Sequence, residues 1–194
     1  MDVMKEMQDM RALKAQVEEM AKQGADPKEM NQKLYLPKKA GEGDLAWKTR
    51  VLTVSYASDF IDAAEAKDIH LTFQPEEAEA VAQAVGAAYE YNLVNRDAIH
   101  KDNQVLVSKE LGCYLALLLC HAKEGKLMVK TVPATPITGL TSLLASGMVM
   151  SVSLPKFREV NPIEVANKVV KTMRVSEEGV LSYKKSAIIN LLQG

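Results

Sequence analysis

The chain has 194 residues, 47% of them hydrophobic and 25% charged, with 24 Lys and Arg against 25 Asp and Glu. These values are ordinary for a soluble globular chain and leave enough length to bury one real core. Two cysteines, ten methionines and no N-x-[ST] site suit a reducing interior and argue against secretion; Met1 to Gln23 alternates charge with no apolar centre, so no signal peptide is read and a cytoplasmic location is expected.

The first 23 residues read as one helix, with Val3, Met10 and Val17 at one heptad position and Leu13 and Met20 at the other. Gly24 ends it, and Asp26-Pro27 opens a short second helix to about Leu34, with Pro at the first helical position. A stripe this narrow does not hold itself together in water, so residues 1–34 are expected to form an apolar arm that docks on its own domain or on a second copy. The linker 35–46 is loop-like. Thr49 to Tyr56 is rich in β-branched residues and fits either a strand or the middle of a helix starting at Asp44. Asp59 to Lys67 reads as a short helix, and Ile69, Leu71 and Phe73 alternate like a strand.

Pro75 opens an alanine-rich helix to about Leu93, whose stripe of Ala78, Val81, Val85 and Ala88 is small enough for close packing. Ser108 is the expected cap of the next helix. Its stretch Cys113 to Cys120 is apolar on every side, which places it at the centre of the protein until Gly125 ends it. Leu127 to Val132 reads as a strand. From Thr131 to Pro155 there are 25 consecutive residues without a charge. The density of Ser, Thr, Gly and Pro argues against a membrane span there and for a buried helix from Thr138 to Met150. Asn161-Pro162 starts a helix to about Val175, with Glu164 at the capping-box position. The last helix runs from Ser182 to Gln193 and carries Ile188, Ile189, Leu191 and Leu192, a second apolar arm over 181–194.

Charge is laid out in blocks. Residues 57–103 hold three basic and ten acidic groups, whereas 104–194 hold eleven basic and six acidic. Such a dipole suits head-to-tail contact between copies or a polyanion on the basic half. Aromatic and basic residues adjoin repeatedly: Tyr35 with Lys38 and Lys39, Trp47 with Lys48 and Arg50, Phe157 between Lys156 and Arg158, Tyr183 before Lys184 and Lys185. Cations that track phosphates beside rings that stack on bases are what single-stranded nucleic acid needs. Lys168, Lys171 and Arg174 fan over the polar side of the 162–175 helix and extend the set.

Catalytic and metal patterns are absent from the sequence. Cys113 and Cys120 stand two helical turns apart, about 10 Å, too far to share one zinc, and read as core residues. The pairs Asp68 with His70 and Asp97 with His100 have no nucleophile or zinc motif beside them.

The expected fold is mainly α: a single helical domain of seven or eight helices over a 35–180 core, with two or three short strands and apolar arms at both ends. The expected function is a self-associating structural protein, nucleocapsid-like or coat-like, that binds single-stranded nucleic acid without sequence preference. It needs no cofactor, metal or membrane. Two alternatives remain beside it: a helical protein-binding adaptor without nucleic acid, and an enzyme using His70 or His100.

Overall fold

The computed structural model describes residues 1–33, 35–131 and 148–194. Among them are seven α-helices: α1 (Val3–Lys22), α2 (Pro27–Lys33), α3 (Asp44–Glu65), α4 (Ala78–Asn95), α5 (His100–Ala122), α6 (Pro162–Val170) and α7 (Ser186–Gln193). Five short strands accompany them: β1 (Lys126–Thr131), β2 (Met148–Leu154), β3 (Arg158–Val160), β4 (Arg174–Val175) and β5 (Leu181–Ser182). The fold is a mainly α single domain, as its sequence implies. β1, β2 and β3 form an antiparallel sheet in that order, with Met128 opposite Ser151 and Leu154 opposite Arg158. β4 and β5 form a separate two-residue ladder.

α5 is the centre of the molecule. Leu111 and the run from Cys113 to Leu119 are all fully buried, and α3, α4, α6 and the sheet pack around them. It is long and apolar enough to cross a membrane, yet here the protein's own elements enclose it. Cys113 and Cys120 are buried on this helix, and burial pushes both thiols up, Cys120 to about 11. α5 and α6 cross closely because Gly112 has no side chain. A Cβ there would lie 2.7 Å from Ile163 Cγ1 and 2.8 Å from Ile163 Cα.

Several elements differ from the sequence reading, each for a local reason. Residues 44–65 form one helix, which decides Thr49–Tyr56 for the reading as a helix starting at Asp44 and joins it to the separately expected 59–67 helix; its inward side chains Val51, Val54 and Thr53 are buried. Ile69, Leu71 and Phe73 pair with no strand among the described residues; side chains satisfy that backbone instead. Thr72 N–H donates to Glu77 Oε2 at 2.6 Å, and Phe73 N–H donates to Tyr114 Oη at 3.1 Å. α5 starts at His100, eight residues before the expected cap. Ser108 is buried within it and donates to Asn167 Oδ1 on α6 at 2.7 Å. α6 stops at Val170, because the hydroxyl and the amide of Thr172 both turn back to Val169 O and the chain then enters β4. The expected helix over 138–150 lies outside the described residues up to 147, and 148–150 belong to β2.

Neither end is a free arm. Val3, Met7 and Met10 of α1 are buried against the body, with α3 the main neighbour. Leu13, Val17 and Met20 are half-buried along the part of α1 that pairs with α2. Ile188, Leu191 and Leu192 of α7 are buried among α6 and α4, and Ile189 is half-buried. The oligomer contacts expected at Val3, Met10, Ile188, Leu191 and Leu192 are therefore intramolecular core contacts, since those side chains are buried, with only Leu191 showing an edge, at the α6–α7 surface.

Two charge clusters lock α1 in place. Glu6 reaches Arg50 on α3 at 3.0 Å and also Lys39, while Arg50 chelates Glu42 through Nε and Nη2, both at 2.8 Å. On the other side Lys14 binds Asp59 at 2.7 Å, and Arg96 bridges Asp59 at 3.1 Å to the buried Glu110 at 3.2 Å.

Candidate polyanion-binding groove

A groove of about 440 Å³ opens between α6 and α7, lined by Arg158, Val165, Lys168, Thr172, Lys184, Ser186, Ala187, Asn190 and Leu191. Three of these side chains are cations, and none is a carboxylate.

Each cation arrives by a different route. Arg158 is the first residue of β3, delivered there by the Pro155–Phe157 turn, in which Lys156 adopts a left-handed φ of 63°. Lys168 lies on α6, whose start is set by Asn161 accepting from Glu164 N–H at 3.1 Å and whose apolar side, Ile163, Ala166, Val169 and Val170, faces the core. The amphipathic period thus fixes Lys168 on the outer side. Lys184 follows β5, and its own N–H donates to Thr172 Oγ1 at 2.8 Å. The preceding Tyr183 anchors this segment: its hydroxyl donates to Ala82 O at 2.7 Å and accepts from Gly86 N–H at 3.1 Å.

No ion pair engages Arg158 or Lys184 among the described residues. Lys168 has Glu164 one turn away at 3.5 Å, both side chains more than half exposed, a pairing worth little in water. Cations facing one concave surface raise the local potential there and favour anions over any neutral ligand. Val165, Ala187 and Leu191 supply an apolar wall, while Ser186 and Asn190 add groups that donate and accept.

The other basic residues divide sharply. Lys156, Lys171 and Arg174 are exposed in the same C-terminal part of the chain but do not line the groove, and Arg174 spends its guanidinium on the carbonyls of Lys171 and Met173. The N-terminal set is mostly committed to internal pairs. Lys38 holds Asp44 at 2.7 Å, Lys39 holds Glu6, and Lys48 is exposed. Arg50 is 5% exposed with two carboxylates and the Pro37 carbonyl as partners, so it is a structural residue and not a phosphate contact. Glu42 beside it is held down to about 2 by that guanidinium. Trp47 is half-buried, donates to Leu36 O at 2.7 Å and packs on Tyr35 at 5.7 Å between centroids. Neither Trp47 nor Tyr183 stands out from the surface as a stacking platform, because both are pinned by hydrogen bonds.

Of the residues expected to touch nucleic acid, the structure thus brings together Arg158 and Lys168. Lys184, Ser186 and Asn190 complete the groove. Lys184 was visible in sequence as part of the Tyr183 cluster, whereas Ser186 and Asn190 carry no sequence signal. His100 Nδ1 contacts Tyr89 Oη, and no cluster of metal-ligating side chains occurs among the described residues.

Comparison with protein-family models, curated proteins and solved structures finds no match for this chain.

Proposed function

We propose that this chain is a structural protein of coat-like or scaffold-like character that binds the backbone of a polyanion, single-stranded nucleic acid foremost. The observation that carries this reading is the groove: Arg158 of β3, Lys168 of α6 and Lys184 of the segment between β5 and α7 line one cavity, with no carboxylate in its lining. Recognition is of phosphate and not of bases, because Tyr183, the ring beside Lys184, is pinned by two hydrogen bonds to α4. Sequence preference is accordingly weak.

Self-association belongs to the same reading. Its surface is not the buried ends of the chain. On α1 the apolar side chains with surface to offer include Met4 at 44% exposure and the half-buried Leu13, Val17 and Met20. A second reading, a protein-binding adaptor without nucleic acid, draws support from the α4–α5 corner, where Val94 is 79% and Ile99 67% exposed. Purification without nuclease separates the two. Co-purifying nucleic acid that salt removes favours the first, and a clean protein that binds no oligonucleotide at low salt favours the second.

A further inference from the structure

We infer that the α6–α7 groove prefers a terminal phosphate monoester of a nucleic-acid chain to an internal phosphodiester, an inference that rests on the polyanion reading above. Charge matching is the first ground. An internal diester brings one negative charge, whereas a monoester carries about −1.5 to −2 at neutral pH and offers three strong acceptor oxygens. One guanidinium and two ammonium groups lining a single cavity match the monoester, and a diester would leave cations in excess.

The shape of the groove is the second ground. At about 440 Å³ it is an open cleft with room for one phosphate and its sugar. An uninterrupted strand binds instead along a track of cations. Of the cations just outside the cleft, Lys185 pairs with Glu79 at 3.5 Å and Arg174 with backbone carbonyls, while Lys156 and Lys171 are exposed but do not line it. The wall of Val165, Ala187 and Leu191 fits the carbon face of a terminal sugar, with Ser186 and Asn190 in reach of its hydroxyls.

The arrangement also explains why Thr172 lies in the lining. Its hydroxyl donates to Val169 O at 2.7 Å and accepts from Lys184 N–H at 2.8 Å, so it acts as a positioning residue that sets where Lys184 enters the groove. No acidic side chain in the lining would repel the second charge of the monoester.

Two single-stranded oligonucleotides of one sequence, labelled at the 3′ end and differing only in a 5′-phosphate or 5′-hydroxyl, test this by fluorescence anisotropy on the full chain. The phosphorylated strand is expected to bind about tenfold more tightly at pH 7.5, equivalent to about 1.4 kcal/mol. The advantage should shrink toward parity at pH 5, as the monoester passes its second ionisation near pH 6. Lys184→Gln, which removes one of the three groove cations, should weaken both strands and narrow the gap between them to less than threefold. Equal affinity of the wild type for the two strands, with salt-dependent binding intact, overturns the end preference and spares the polyanion reading. Failure of both strands to bind at low salt overturns both.

Discussion

Glu110 makes the stability of this protein depend on pH in an unusual direction. The residue sits in the middle of α5 and is 1% exposed. Asn92 Nδ2 donates to one carboxyl oxygen at 2.9 Å and Arg96 approaches the other at 3.2 Å. Burial penalises the ionised form more than these partners favour it, and the carboxyl is pushed up from the ordinary 4.5 to about 7. The folded protein therefore binds a proton between those two values that the unfolded chain has released. Stability is highest below pH 4.5 as far as this group is concerned, and it declines as pH rises toward 7. At 1.36 kcal/mol for each tenfold change in proton affinity, the loss amounts to about 3 kcal/mol. Glu110→Gln keeps an acceptor for Asn92 and removes the ionisable group. In urea titrations followed by circular dichroism from pH 4.5 to 8, the wild-type midpoint should fall with pH, the variant should respond less, and the variant should be the more stable of the two at pH 8. A wild-type midpoint that stays flat or rises between pH 5 and 7.5 would refute the reasoning, as would a variant less stable than wild type at pH 8. Glu42 works in the opposite sense and in a different window: held down to about 2, it contributes stability above pH 4.5 that disappears as pH falls toward 2.

Gly112→Ala should destabilise by about 1–3 kcal/mol in the same titration, because a methyl group meets Ile163 backbone at 2.8 Å, and this outweighs the gain alanine brings to most helices. An unchanged midpoint would show that α5 and α6 do not cross so closely. Removing residues 187–194 should lower the thermal midpoint of the monomer, since Ile188, Leu191 and Leu192 each contribute about 1.5–3 kcal/mol when buried. Loss of a larger particle with an unchanged monomer midpoint would instead place α7 on a neighbour.

Much of the architecture was legible from period and punctuation. α1, the Pro27 helix, the all-apolar centre of α5 and the Asn161-Pro162 start of α6 each carry a pattern that one element satisfies by itself. The misread segments depend on distant partners. Ile69, Leu71 and Phe73 alternate like a strand, but Glu77 and Tyr114, brought in by other elements, satisfy that backbone. Thr49–Tyr56, which fits strand or helix by sequence, is helical because tertiary burial overrides its strand propensity within a 22-residue helix. The groove was half legible for the same reason. Basic residues next to aromatic ones mark Arg158 and Lys184, and helical period puts Lys168 on a polar face. Nothing local indicates that α6 and α7 lie side by side, or that Arg50, equally basic and equally close to an aromatic, turns inward to Glu6 and Glu42.

The salt dependence of oligonucleotide binding, measured on wild type and on a variant with Arg158→Glu and Lys184→Glu, tests the groove most directly. Wild-type log affinity should fall linearly with log salt, as release of counterions requires, and the variant should lose binding at every salt concentration while keeping its helical spectrum. An affinity that is flat in salt, or one the double reversal leaves unchanged, would contradict the account.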